Sequence, residues 1–188
     1  MARLILFATI VTACFVGGGT AASGAYIYLK ARTAQYLIER AWSRNEFENR
    51  SIHPWPWADT HVLARLRVPS LAIERYVLEG ANGQALAFGP GHLSGTPLPG
   101  ESGNSIIAGH RDTQFRFLRD LEAGDEIFFD LPHGRTVRYR VQHVWVTTDT
   151  DPRPLASTGE TWLTLITCYP FDALRAGGPL RFIVEAQA

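Results

Sequence analysis

The sequence predicts a mainly β domain, closed or nearly closed into a barrel of seven or eight strands, behind an N-terminal apolar helix. Two observations carry this prediction. From Thr60 onward, short strand-like runs alternate with turns rich in proline and glycine. Before them, residues 4–29 hold no charged side chain over 26 positions, enough for a helix to cross about 30 Å of hydrocarbon.

Seven runs after Thr60 combine apolar or alternating character with strong turn signals at their ends. We predict strands at residues 61–68, 71–78, 104–109, 125–131, 136–147, 161–167 and 180–185. Two short helical pieces are expected around residues 83–87 and 113–121. Several short strands with such turns are typical of an all-β barrel.

Composition narrows the class of partner. Eighteen basic and eighteen acidic residues cancel, and no cluster of Lys or Arg stands out. A nucleic-acid partner therefore has no electrostatic support. Hydrophobic residues make up 46% of the chain, with five Trp and ten Phe, which is ample for a packed core.

The domain organisation begins with a short tail at residues 1–3 and a transmembrane anchor at residues 4–29. Two alternatives compete with an uncleaved anchor: a signal peptide cleaved near Ala21 and Ala22, and lipidation at Cys14. The apolar run continues fifteen residues past Cys14, which favours the anchor. Lys30 and the arginines that follow it mildly favour a cytoplasmic C-terminal domain.

Residues 30–59 form a second segment, an amphipathic helix followed by a Pro/Trp linker, before the barrel at residues 60–188. Apolar residues recur on one helical face, namely Leu37, Ile38, Ala41 and Trp42. This helix is expected either to pack on its own domain or to lie on the membrane surface.

Candidate chemistry gathers where predicted strands end. Cys168 closes one strand, and Arg181 opens the next after a loop of about eleven residues. If these strands are antiparallel neighbours, the thiol and the guanidinium meet, and the cation favours a thiolate. The guanidinium could also stabilise an oxyanion, and His110, at the end of another strand, could protonate a leaving amine.

Ordinary structural roles are the alternative to this chemistry. A buried free cysteine is a common core residue, although Cys14 in the N-terminal helix leaves Cys168 without a partner. Arg175 rivals Arg181, and His92 rivals His110. Apart from His110, we expect every histidine to be a surface or loop residue. These are His53, His61, His92, His133 and His143. No calcium-loop spacing is visible, and we expect neither a metal nor a cofactor.

These residues resemble the sortases, membrane-anchored cysteine transpeptidases with an eight-stranded β-barrel. The resemblance rests on residues 164–168 (TLITC), residues 108–113 (AGHRDT) and an arginine that opens the final strand. It covers about residues 60–186. Residues 54–60 (PWPWADT) and 167–172 (TCYPFD) further resemble the Gram-negative branch, class GN, of marine proteobacteria.

The resemblance implies a role for each site residue. Cys168 would attack a peptide carbonyl in an LPxTG-like sorting signal near the C-terminus of a secreted substrate protein, giving a thioester. His110 would protonate the leaving amine, and Arg181 would bind the signal and stabilise the oxyanion. Thr167 would help through its amide or hydroxyl, and Asp112 would orient His110 or serve as a helix-start carboxylate.

The resemblance also implies a location and leaves the function partly open. The catalytic domain would face the periplasm from a single-pass anchor in the cytoplasmic membrane, against the mild charge preference. The accepting amine stays unidentified. Two alternatives remain: a related cysteine hydrolase that releases its substrate to water, and a non-catalytic β-barrel that binds membrane proteins.

Overall fold

The structure, a computed structural model, describes residues 2–48, 52–156, 159–175 and 177–188. It consists of two compact units, Met1–Leu37 and Ile38–Ala188. The first unit is the N-terminal part of a single long helix, α1 (Ala2–Glu48), and its side chains at residues 17–33 are exposed. The second unit holds the end of α1 and the whole β-domain.

The membrane anchor predicted for residues 4–29 falls within α1, and most side chains before residue 17 lie outside the described part of the chain. Across the described residues, no helix combines the length and the apolar character needed to cross a membrane. The anchor is therefore not confirmed and stays a prediction.

The β-domain is a closed barrel of eight strands in the order β1-β2-β3-β4-β7-β8-β6-β5, which confirms the predicted fold class. The strands are β1 (Val62–Val68), β2 (Ile73–Glu79), β3 (Gly91–His92), β4 (Gly103–Ala108), β5 (Glu126–Leu131), β6 (Arg135–Thr148), β7 (Thr161–Tyr169) and β8 (Leu180–Gln187). Each of the seven predicted strands is present, with ends that differ by no more than two residues.

Strand β3 was not predicted, because it is only two residues long and overlaps a Gly-Pro-Gly turn signal. It runs parallel to β2 and antiparallel to β4. A Cβ at Gly91 would lie 2.3 Å from the Gly80 carbonyl oxygen, so only glycine fits there. His92 is 2% exposed and its Nδ1 lies 3.1 Å from Glu79 Oε2; the expectation of a surface or loop histidine was wrong for this residue.

Both predicted helical pieces are present in shortened form. Helix α2 (Gly83–Leu86) begins after Asn82, whose side-chain oxygen accepts hydrogen bonds from the Gln84 and Ala85 backbone amides. A 3-10 turn (Arg116–Asp120) occupies the second predicted region. Its buried Phe117 and Leu118 close one end of the barrel core.

Alternation along the strands separates the core from the outer surface. On β4, Ile107 enters the barrel core, as do Leu163 and Leu165 of β7 and Val184 of β8. Since neighbouring residues of a strand point to opposite faces, the even-numbered residues of β4 and β7 point outward. The odd-numbered residues of β8 do the same. This parity decides where the functional side chains lie.

A second apolar cluster joins the end of α1 to the outside of the barrel. Ile38, Ala41 and Trp42 are almost fully buried and pack with Val62 of β1 and Leu78 of β2. Of the two placements expected for the amphipathic helix, packing on its own domain is confirmed for these residues. The stripe is covered because apolar side chains at helical spacing form one continuous face.

An ion cluster holds β1 against β5. The Asp130 carboxylate accepts hydrogen bonds from Arg67 Nε (2.6 Å), from Arg65 Nε (3.0 Å) and from Thr136 Oγ1 (2.8 Å). Asp130 is 7% exposed. The Arg67 hydrogen bond, with those of Thr136 and Arg65, lowers the pKa of Asp130 to about 2, although burial alone would raise it.

Replacing Asp130 with Asn should lower the free energy of unfolding at pH 7 by about 1–2 kcal/mol. The stabilisation belongs to the carboxylate, whose pKa falls from 3.8 to about 2 on folding. It is therefore complete above about pH 4 and lost as the pH falls toward 2. Urea unfolding at several pH values should show the gap between wild type and Asp130→Asn narrowing over that range. Asp120→Asn, at an exposed position, is the control, and a gap that stays constant with pH would contradict this account.

Candidate active site

Cys168 and Arg181 face each other across two neighbouring strands. Strands β7 and β8 are antiparallel, and their register pairs Cys168 directly with Arg181. Both residues lie on the outer face, since Leu165 and Val184 occupy the inner face of the same strands. Directly opposed Cβ atoms in such a pair are about 5 Å apart. The expected antiparallel pairing, which places these two residues opposite each other, is present.

His110 follows the end of β4, on the other side of β7. Strands β4 and β7 are parallel, and their unshifted register ends at Ala108 opposite Ile166. The Gly109 amide extends the ladder by donating to the Ile166 carbonyl at 3.1 Å. His110 and Cys168 each come two residues after this last pair. The His110 side chain is exposed.

The Thr167 side chain bonds the backbone of Gly109, the residue before His110. Its side chain is 2% exposed, and the hydroxyl donates a 2.7 Å hydrogen bond to the Gly109 carbonyl. The residue points to the inner face, opposite to its neighbour Cys168. Its hydroxyl is thus occupied in fixing the chain at Gly109, and the predicted help through the amide stays a prediction.

The turn after β4 depends on Gly109. The Phe115 amide donates to the His110 carbonyl at 2.9 Å, which folds the chain back and brings the fully buried Phe115 ring onto Gly109. A Cβ at Gly109 would lie 2.7 Å from two atoms of that ring. Real Cβ atoms do not approach so closely. The turn at His110 therefore requires glycine at position 109.

The Arg181 guanidinium is already oriented by the protein. Its Nη1 donates to the carbonyls of Gly178 (2.7 Å) and Leu180 (2.9 Å), and its Nη2 lies 3.4 Å from Asp149 Oδ2. These contacts use three of five N–H bonds, so others can meet a substrate oxygen. Arg175, the competing arginine, has an exposed side chain in the loop between β7 and β8.

Arg111 was overlooked in the sequence. The residue is 4% exposed, and its guanidinium donates at 2.8 Å to each of three carbonyls in the loop after Cys168, those of Pro170, Ala173 and Arg175. Its Nε lies 3.2 Å from Asp112 Oδ1. An arginine between a histidine and an aspartate gives no local signal of burial, because the burial comes from a loop 59 to 64 residues away.

Asp112 therefore lies on Arg111, with 64% of its side chain exposed. This is the contact that the structure describes for its carboxylate. A role in orienting His110 stays a prediction.

The outer face of the sheet beside Cys168 is apolar. Ala108, Ile166 and Ile183 lie on that face, by the alternation of β4, β7 and β8. At the far end Asn104 Nδ2 donates to the carbonyls of Pro154 (3.0 Å) and Ala156 (3.1 Å). These hydrogen bonds fix the loop between β6 and β7 to the start of β4.

The same loop is ordered by its own charges. Arg153 lies over the Trp145 ring at 4.7 Å and donates to Asp151. The hydrogen bonds of Arg153 and Thr147 hold the pKa of Asp151 well below its usual range. Both Asp151 oxygens accept hydrogen bonds within the loop or from β6.

The arrangement is suited to acyl transfer through a free thiol. Cys168 is a free cysteine of intermediate exposure, with Arg181 opposite it on β8 and His110 just past the end of the neighbouring strand β4. Among the described residues, no group of three or more His, Cys, Asp or Glu is placed to hold a metal ion.

Comparisons with known proteins agree with this geometry. The family model for the sortase domain matches residues 66–188. Sortase D of Bacillus subtilis (strain 168) is 32% identical over 119 residues, which span 63% of this chain and 60% of that protein. The match thus covers less than two thirds of this relative's length.

Solved structures of similar fold include three sortases. A sortase D5 transpeptidase of Clostridium perfringens has a TM-score of 0.67 at 24% identity, covering 83% of this chain and 98% of its own. Sortase A of Corynebacterium diphtheriae has a TM-score of 0.62 at 25% identity, covering 82% and 83%. Sortase C1 of Streptococcus agalactiae has a TM-score of 0.60 at 27% identity, covering 67% and 66%.

Gly109→Ala should disable the site and destabilise the domain by about 1–3 kcal/mol, because the new methyl group overlaps the buried Phe115 ring. The rate of acyl transfer at Cys168 measures the first effect, and thermal unfolding measures the second. Gly83→Ala is the matched control, since a Cβ there has open space. Equal behaviour of the two variants would show that the contact at Gly109 does not constrain the turn.

Proposed function

The chain belongs to the sortase family, and from that premise we propose that it is a cysteine transpeptidase acting through a thioester at Cys168. Sortases are cysteine transpeptidases, and the relatives described above carry that family name. The observation that supports the proposal is the strand register. It pairs Cys168 with Arg181, and its last β4–β7 pair, Ala108 with Ile166, lies two residues before both His110 and Cys168.

In the first half-reaction, the Cys168 thiolate attacks the carbonyl carbon of the scissile amide. The carbonyl oxygen becomes an oxyanion, which N–H groups of Arg181 stabilise. The C–N bond then breaks, and the His110 imidazolium gives its proton to the departing amine nitrogen. The products are a thioester on Cys168, a free amine and a neutral imidazole.

In the second half-reaction, an incoming neutral amine attacks the thioester carbon. His110, now neutral, accepts the proton that the amine loses, and Arg181 again stabilises the oxyanion. The C–S bond breaks, which restores the thiolate and the imidazolium and releases a new amide. Hydrolysis differs only in that water takes the place of the amine.

The substrate we propose is a secreted protein with an LPxTG-like sorting signal near its C-terminus. We place an extended peptide along the outer face beside β7, where Ala108 and Ile166 are apolar and partly exposed. The loop fixed by Asn104 bounds this face at the end away from Cys168. The apolar residues of such a signal would pack there while the scissile carbonyl reaches the thiol.

Mixing the protein with an LPxTG-type peptide should give an acyl-enzyme detectable by intact mass, located on Cys168 by peptide mapping. Cys168→Ala should abolish it. Arg181→Ala should lower the acylation rate roughly 100- to 1,000-fold, as loss of an oxyanion donor does. Arg175→Ala, with its exposed side chain in the adjoining loop, should stay within about threefold of wild type.

Adding an amine to the reaction distinguishes a transpeptidase from a hydrolase. A transpeptidase converts peptide and amine into a new amide, whereas a sortase-like hydrolase gives only the free acid. If no adduct forms at Cys168 and a Cys168→Ala variant keeps its function in cells, the non-catalytic β-barrel is the correct alternative.

We also propose a single-pass anchor at residues 4–29 in the cytoplasmic membrane, with the catalytic domain outside and the chain in the Gram-negative branch of the family. The uncharged stretch and the segments at residues 54–60 and 167–172 support this. Alkaline phosphatase fused after Ala188 should be active, because that enzyme matures in the periplasm. A fluorescent protein that matures only in the cytosol should be dark at the same position. The reverse pattern would overturn the topology.

A further inference from the structure

We propose that Arg111 is a positioning residue that keeps His110 level with Cys168, by tying the segment after β4 to the loop after β7. The inference rests on the proposed function, because it assigns Arg111 a part in delivering the proton to the leaving amine. Arg111 connects the two segments that carry the site. It directly follows His110, and its first partner, Pro170, comes two residues after Cys168.

The tie is needed because the backbone ladder ends just before the histidine. The last β4–β7 pair is Ala108 with Ile166, and one amide bond from Gly109 and one hydroxyl bond from Thr167 carry it a single residue further. Beyond that point β7 reaches Pro170, which has no N–H to donate. The Arg111 guanidinium takes over there by donating to carbonyls.

The number and length of these bonds show a built contact. A guanidinium that is 4% exposed is costly to bury unless its donors are satisfied. Three donations at 2.8 Å to main-chain carbonyls, with a fourth toward Asp112, satisfy most of its five N–H bonds. The planar fork of arginine, with five donors on three nitrogens, spans acceptors that are farther apart than the compact ammonium of lysine can reach together.

Other contacts do not replace this tie. The His110 side chain is exposed, and its carbonyl is fixed by amides of the turn that follows, at Phe115 and Thr113. Those bonds hold His110 to its own segment. Arg111 holds that segment to the loop following the nucleophile.

The chemistry offers a way to separate positioning from general stability. Cleavage of an amide needs the proton from His110, because an amine anion is a very poor leaving group. Cleavage of an activated ester such as a p-nitrophenyl ester needs no proton, since the phenolate leaves by itself. Alkylation by iodoacetamide needs only the thiolate of Cys168. A misplaced His110 should therefore damage the first reaction far more than the other two.

The experiment compares Arg111→Ala, Arg111→Lys and wild type in the full-length chain, using one acyl peptide presented either as the amide or as the p-nitrophenyl ester. For Arg111→Ala we expect kcat on the amide to fall about 100-fold with KM within about threefold. Ester cleavage and alkylation should stay within about threefold. Arg111→Lys should fall in between, and 50 mM guanidinium should partly restore Arg111→Ala.

Arg119→Ala is the matched control, because Arg119 is exposed and pairs only with its neighbour Asp120 among the described contacts. Equal losses on amide, ester and alkylation in both Arg111 variants would overturn the inference, since they would mark a general effect on folding. Unchanged amide cleavage would overturn it too. A wild-type protein that forms no acyl-enzyme from either peptide would instead refute the proposed function, and this inference with it.

Discussion

The parallel pairing of β4 with β7 is the constraint on which the site depends. It is the only described pairing that brings the histidine segment beside the cysteine strand, and its register runs without a shift over six residue pairs. The antiparallel pairing of β7 with β8 then adds the arginine at the same level. Backbone hydrogen bonds set both registers, so the ends of three strands that carry the site residues are aligned by the sheet itself.

Alternation along the strands explains why such polar chemistry is compatible with a tightly packed barrel. Leu165 and Val184 fill the core from the inner face, while Cys168 and Arg181, displaced by an odd number of positions, point outward. A shift of one residue in either strand would exchange the two faces, which would bury the guanidinium and expose the leucine. The energy that packs the core thus also fixes the orientation of the site.

Much of this could be predicted from the sequence, because it depends on local patterns. Seven strands have clear turn signals, and Cys168 and Arg181 end and open their strands, so antiparallel pairing follows. The parts that could not be predicted depend on distant contacts. Two-residue β3 exists only because Gly91 fits against Gly80. Arg111 is buried only because a loop some 60 residues later covers it.

The order in which the strands of the barrel pair determines when each part of the site is assembled. A parallel pair cannot be joined by a tight turn and needs a long connection, and here Thr167 and Gly109 are 58 residues apart. Strands β7 and β8, by contrast, are close in sequence, so Cys168 and Arg181 can pair as a local hairpin. The nucleophile and its cation therefore form a local unit, whereas the proton donor joins them only when β4 docks and the barrel closes. Under the proposed mechanism, acid catalysis by His110 is therefore tied to completion of the fold in a way that the thiol alone is not.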